Sequence, residues 1–141
     1  VQFYVFQRDY FGDYRARSAA RYGHNLRGAI EEVIALRDRT NGAPVYLNHE
    51  IPYVRDYWAF YVKVHRRTEL IEAVSTLDTK SDILGNLQSG SLLLTDASAR
   101  ALAVFGGRSD FVQVGSATDP AGGGGDASRP GPTTFIIYQK R

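Results

Sequence analysis

The chain has no cysteine and no methionine. The missing cysteine excludes disulfides, thiolate metal sites and a thiol nucleophile. It is compatible with an oxidising compartment without requiring one. The missing methionine, absent even at position 1, points to a processed or excised piece of a longer polypeptide. Long apolar runs are also lacking: the longest falls far short of the roughly 18–20 residues needed to cross a bilayer. The opening residues do not carry the charged-then-apolar pattern of a signal peptide. Strong charge of one sign is missing too. A net charge of +2 is too weak to argue for nucleic acid, which needs a concentrated basic stripe. Lysine is scarce, with only Lys63, Lys80 and Lys140.

What remains is ordinary globular chemistry, 43% hydrophobic and 23% charged over 141 residues, enough for one domain with one core. The stretch from Val45 to Val62 organises it. Val45, Tyr46 and Leu47 suit a buried strand, Asn48-His49-Glu50 a polar turn, and Pro52 the first turn of a helix over 52–66. Val54, Tyr57, Trp58, Tyr61 and His65 recur on one face of that helix, and Arg66-Arg67 complement the negative end of its dipole. A strand feeding a helix this directly is the unit of an α/β fold.

The flanking elements follow from periodicity. Ala19, Tyr22, Leu26, Ala29, Ile30, Val33 and Leu36 predict a long helix over 16–39. Gly23 and Gly28 mark close packing or a kink, Asn25 is an alternative cap that would split the helix, and Asn41-Gly42 is a natural stop. Residues 69–77 fit either a strand or a short helix, with the strand reading preferred and Leu70, Ile71 and Val74 partly buried in it, and 79–90 read as a connector with one helical turn at Ser81–Asn86. Ser91–Thr95 is a buried strand, and Thr95 or Asp96 caps a helix over 97–105 that Gly106-Gly107 ends. Phe111, Val112 and Val114 begin another strand. Residues 115–132, rich in glycine and proline, read as a flexible loop. Thr133–Gln139 is the last strand, antiparallel to the one before it. The expected fold is α/β: a three-layer, Rossmann-like open sheet, mostly parallel, with an antiparallel C-terminal edge strand. Residues 16–141 form a single soluble domain.

No catalytic motif stands out. Gly122–Gly125 lacks the lysine and following helix of a phosphate-binding loop. His24, His49 and His65 lack metal-ligand spacing, so neither a metal nor another cofactor is expected. Gly90-Ser91 and Gly115-Ser116 do not fit a nucleophile elbow. Asp78, Asp82, Asp96 and Glu50 would pair only if the fold brought them together. Asn48, His49 and Glu50 follow the first strand's carboxyl end, where ligands gather in open α/β sheets; they would bind a polar ligand such as a sugar, or else cap the next helix. Tyr57 and Trp58 would stack on a sugar ring or belong to the core.

Residues 1–15 form an aromatic arm with Phe3, Tyr4, Phe6, Tyr10, Phe11 and Tyr14. Tyrosine favours membrane–water boundaries. Nearby arginines, among them Arg15 and Arg17, suit either a solvated face or anionic lipid head groups. Packing of the arm on the domain is the alternative, and the two are compatible.

The run Phe6-Gln7-Arg8-Asp9-Tyr10-Phe11-Gly12-Asp13-Tyr14, then Arg17-Ser18-Ala19-Ala20-Arg21-Tyr22 and Leu26-Arg27-Gly28-Ala29-Ile30, resembles a junction in bacterial family 39-like glycosyltransferases. These are relatives of protein mannosyltransferases and lipid A aminoarabinose transferases. There, such a segment follows the last transmembrane helix and leads into a small extracytoplasmic α/β domain. The resemblance implies a parent that moves a sugar from a polyprenyl-phosphate donor. The family's catalytic carboxylates lie in an early loop of the membrane domain, so no catalytic residue carries over. It further implies a non-catalytic C-terminal domain at the extracytoplasmic (periplasmic) face of a bacterial inner membrane, with Tyr10, Phe11, Arg15 and Arg17 nearest the bilayer. Its partners would be the transmembrane domain of the same polypeptide, lipid head groups and a sugar or lipid-linked sugar, not nucleic acid. Two rivals remain. One is a free-standing sugar- or nucleotide-binding domain using Asn48, His49, Glu50 and Trp58; the other is a small hydrolase-type enzyme.

Overall fold

A computed structural model describes residues 24–79, 81–119 and 131–141. The aromatic arm and the first part of the helix expected from residue 16 lie outside the described residues. From His24 the chain forms α1 (Leu26–Arg39), β1 (Val45–Asn48), α2 (Val54–Val64), a 3-10 turn (Thr68–Leu70), β2 (Val74–Leu77), α3 (Ser81–Gly85), β3 (Leu92–Asp96), α4 (Ala99–Gly106), β4 (Phe111–Thr118) and β5 (Thr133–Lys140). The strands make one mixed sheet in the order β2-β1-β3-β5-β4. β1 pairs parallel with β2 and β3, and β5 pairs antiparallel with β3 and β4. The fold is therefore α/β.

The expected C-terminal edge strand needs correcting, because β5 lies inside the sheet and β4 is the edge. Phe135, Ile136, Ile137 and Tyr138 are all buried. A strand apolar at successive positions is covered on both faces and suits the interior of a sheet. β4 exposes Gln113 and Ser116, as an edge tolerates.

Side chains alternate across the sheet with a period of two. Val45, Leu47, Leu92, Leu94, Phe135 and Ile137 pack with the buried stripes of α1 and α2. Leu93, Ile136, Tyr138 and Phe111 pack instead with Leu84 of α3 and Phe105 of α4. Trp58 is the largest fully buried side chain, and its Nε1–H donates to the Leu70 carbonyl at 2.9 Å. That bond holds Leu70 in the 3-10 turn, so β2 begins at Val74 and not near residue 69.

Asn25 is the true start of α1. Its Oδ1 accepts from Gly28 N at 3.2 Å, its Nδ2 donates to Thr118 O at 2.9 Å, and its own N–H donates to Asp119 Oδ1 at 3.0 Å. Gly28 is the close-packing glycine expected from the sequence: a Cβ there would lie 2.6 Å from the Asn25 amide. Gly115 has a similar role on β4. A Cβ there would come within 3.1–3.3 Å of Ile137, Glu32 and Leu36, so its absence lets α1 lie close on the sheet. Residues 115–118, expected as loop, are paired with β5; glycine and serine in a strand hide it from propensity.

Other boundaries shift slightly. α2 starts at Val54, leaving Pro52 in the preceding turn. α4 is capped by Ser98, whose Oγ accepts from Ala101 N at 3.2 Å, while Thr95 and Asp96 belong to β3. Arg67 forks across Asp38, with Nη1 and Nη2 donating at 2.8 and 3.0 Å. It thereby ties the end of α2 to the end of α1, and the paired guanidinium holds the Asp38 carboxyl below its usual range.

Candidate functional site

The expected site sits at the carboxyl ends of β1 and β3. From β1 the chain crosses to β2 on one side, while β3 lies on the other. Such a divergence is where α/β sheets tend to hold ligands. Asn48 ends β1 and is fully buried. Its Nδ2 donates to Thr95 Oγ1 at 3.1 Å and reaches Asp96 Oδ1 at 3.5 Å, while its Oδ1 accepts from Glu50 N at 3.1 Å. Thr95 Oγ1 in turn donates to Asp96 Oδ1 at 3.2 Å. Asn48 therefore joins the two strand ends and shapes the turn after β1, the local role that asparagine takes in turns.

The neighbours of Asn48 point outward. Glu50 Oε1 lies 2.7 Å from Arg100 Nη1, bridging the turn after β1 to the first turn of α4. His49 donates its backbone N–H to Leu77 O at 3.0 Å, and its Nδ1 lies 3.2 Å from the same carbonyl. A carbonyl only accepts, so this contact places the proton on Nδ1. In the neutral ring, exposed Nε2 then keeps a lone pair for a donor or an acid. Asn48 is thus turned inward, while His49 and Glu50 stand at the carboxyl end of β1 with separate partners. Trp58 is not with them: it lies in the core and has no free face for a sugar ring. Tyr10, Phe11, Arg15 and Arg17 lie outside the described residues.

The remaining candidates disperse. His24 Nδ1 meets Asp119 Oδ2 at 2.7 Å and His65 Nε2 meets Glu31 Oε1 at 3.0 Å, so the three histidines have three separate partners. Among the described residues, no three metal-ligating side chains gather in a group able to hold an ion. Ser91 is buried just before β3, at the opposite edge of the sheet from His49. Glu50 and Asp96 have separate partners, Arg100 and the Asn48–Thr95 pair.

A second surface escaped the sequence reading. The buried stripe of α2 is Val54, Trp58 and Val62, with Tyr57 and Tyr61 half-buried at its margin and His65 exposed. Next to it, Tyr53, Phe60 and Val64 are 75%, 58% and 53% exposed. The Tyr57 and Tyr61 rings stack at 6.4 Å between centroids, and Phe60 meets Tyr61 edge-on at 5.1 Å. Tyr53, Asp56, Tyr57, Phe60 and Tyr61 line a shallow depression of about 380 Å³. Tyr53 also takes a left-handed backbone, φ 55° and ψ 22°, a conformation that costs a side-chain-bearing residue roughly 1–2 kcal/mol. The signal was in the sequence: positions 57, 60 and 64 form a second helical stripe beside the one that faces the core, with Tyr53 just ahead of it.

No family model, curated protein or solved structure matches this chain.

Proposed function

We propose that the chain is the non-catalytic C-terminal extracytoplasmic domain of a family 39-like membrane glycosyltransferase, one that transfers a sugar from a polyprenyl-phosphate donor. Its role is to cover the membrane-embedded reaction centre or to help engage the acceptor. Beyond the resemblance of residues 6–30, one structural observation carries the reading. At the strand ends, Asn48, Thr95 and Asp96 are engaged with one another, and Glu50 is engaged with Arg100. These four side chains are thus occupied in holding the fold. Among the described residues no helix is long and apolar enough to cross a membrane, so the spans of the parent would lie elsewhere in its polypeptide. We also read the sheet as the middle of a three-layer, Rossmann-like domain. The adjacent order β2-β1-β3 and the assignment of α1 and α2 to one buried cluster and α3 and α4 to the other support this.

Two measurements test the reading. The reading frame upstream of Val1 is expected to encode several hydrophobic spans of about 20 residues each; a frame beginning a few codons before Val1 removes it. The isolated domain is expected to turn over no polyprenyl-phosphate sugar, and detectable transfer or hydrolysis removes it equally.

The exposed His49 Nε2 beside Glu50 favours a second reading, a small sugar- or nucleotide-binding domain. Micromolar binding by calorimetry that vanishes in His49→Ala would establish it.

A further inference from the structure

We infer that the groove at the amino edge of the sheet binds a small hydroxylated anion, a sugar that carries a phosphate or a carboxylate. The loop from α1 into β1, the turn before β3 and the end of β5 meet there and enclose about 340 Å³. That volume falls at the lower end of the roughly 300–1,000 Å³ of small-molecule sites. The groove lies at the opposite end of β1 from His49 and Glu50. No ionised side chain lines it; Asn41, Gln88 and Gln139 contribute amides, and Thr40 and Ser89 hydroxyls. Amides and hydroxyls both donate and accept, so this lining matches the hydroxyls of a sugar better than an apolar ligand. Most of these groups are also free. The side chains of Asn41, Gln88 and Ser89 have no hydrogen-bond partner among the described residues, and Gln139 Nε2 reaches Gly90 O at 3.4 Å. At the carboxyl edge, by contrast, Asn48, Thr95 and Asp96 satisfy one another.

Arg37 selects the charge of the ligand. It is half-buried near the end of α1, and its Nε is sealed from solvent without a partner. No carboxylate among the described residues makes a salt bridge to it. The acids nearby, Asp38 and Glu69, hydrogen-bond to Arg67 instead and feel Arg37 through its charge alone. The terminal nitrogens of Arg37 lie over Gly42, one of the residues that line the groove. A Cβ on Gly42 would stand 3.7 Å from Nη2 and 4.0 Å from Nη1. Gly42 takes φ 85°, a backbone that favours glycine, and it has no side chain to stand between the guanidinium and the groove. A half-buried charge without a counter-charge is costly, and the planar fork of an arginine suits phosphate and carboxylate alike. A free cation at the rim and neutral amides and hydroxyls along the walls together fit a sugar with one anionic group.

This site goes beyond the proposed place of the domain beside a bilayer and does not rest on it. Titration calorimetry of the full 141-residue chain tests it with glucose 6-phosphate, glucuronate, glucose and inorganic phosphate. At least one of the two sugar anions is expected to bind about tenfold or more tighter than glucose or phosphate, the factor that one charge-assisted contact supplies. Which of the two binds tighter identifies the anionic group. Arg37→Gln is expected to weaken that sugar anion about tenfold, down to the affinity of glucose. Gln88→Ala/Ser89→Ala changes two exposed side chains without partners, and is expected to weaken binding without moving the melting temperature. The inference is overturned by no binding of either sugar anion, by equal affinity for glucose or for phosphate, or by binding unchanged in either variant. Binding that vanishes in His49→Ala and survives Arg37→Gln belongs to the carboxyl edge and overturns it as well. Sugar turnover by the isolated domain removes the glycosyltransferase reading and leaves this test as it stands.

Discussion

The inner and outer faces of α2 are made of similar residues and meet opposite surroundings. Val54, Trp58 and Val62 are sealed against the sheet, while Tyr53, Phe60 and Val64 stand in solvent. Side-chain type does not separate them, since both faces are aliphatic and aromatic. What separates them is the neighbour each face meets. β1, the 3-10 turn and α1 supply partners on one side, down to a hydrogen bond for the one polar atom of Trp58. The sheet's carboxyl edge adds a third case. It looks like a site by topology, yet its polar groups are engaged with one another. Where the topology favours a ligand, Asn48, Thr95, Asp96 and Glu50 are partnered; where it is silent, an apolar ridge is open.

Substitutions sharpen this contrast in descending order of effect. Trp58→Ala is expected to cost about 3–5 kcal/mol in a denaturant melt, the range for deleting a large buried ring. A loss below about 1 kcal/mol would mean that the inner face is not the anchor of α2. Asn48→Ala is expected to cost about 1–3 kcal/mol, because it strands the Glu50 N–H and the Thr95–Asp96 pair without their buried partner. If His49 and Glu50 hold a ligand, this change also disorders the turn that presents them.

Acid should act next, and away from both faces of α2. Arg108, then Lys140, holds the Asp110 carboxyl well below the usual carboxylate range, and Arg27, then His65, lowers that of Glu31 despite the opposing effect of burial. These groups titrate lower folded than unfolded, so as pH falls the unfolded chain takes up protons first. Their stabilisation is whole at neutral pH, begins to go near the unfolded values of about 4, and is lost below the folded ones. Melting temperature measured from pH 7 to pH 3 is expected to drop in that lower window, and less so in Asp110→Asn. Smallest of all is Phe60→Ser, expected within about 0.5 kcal/mol of the parent in a denaturant melt. A large loss of stability there would place Phe60 in the packing and undo the contrast.

Much of the fold was legible because its signals are local. Leu92–Leu94 announced a strand buried on both faces, and Asn41-Gly42 stopped α1 through two positive φ angles. Asn48, His49 and Glu50 were located because a strand followed by a polar turn marks its own carboxyl end. What stayed hidden depends on distant partners. The inward place of β5 is decided by β3 and β4, far apart in sequence. Gly115-Ser116 reads as loop until Ile137 and Ile136 pair with it. Of the two places open to Trp58, a sugar-binding surface or the core, the core is the one it takes, and the Leu70 carbonyl that claims its indole N–H is not visible in the local sequence. The outer ridge of α2 was overlooked because the helix was taken to start at Pro52 and to have one apolar face.

The stems around residues 120–130 clasp each other. Asp119 N–H donates to Pro132 O at 3.0 Å and Gly131 N–H donates back to Asp119 O at 3.1 Å, beside the point where Asp119 also receives His24 and Asn25. The β4–β5 hairpin is therefore fastened where its two strands enter residues 120–130. Since each doubling of a loop adds only about 0.6 kcal/mol to its closure, this is the place to graft an epitope or a fluorophore without disturbing either face of α2.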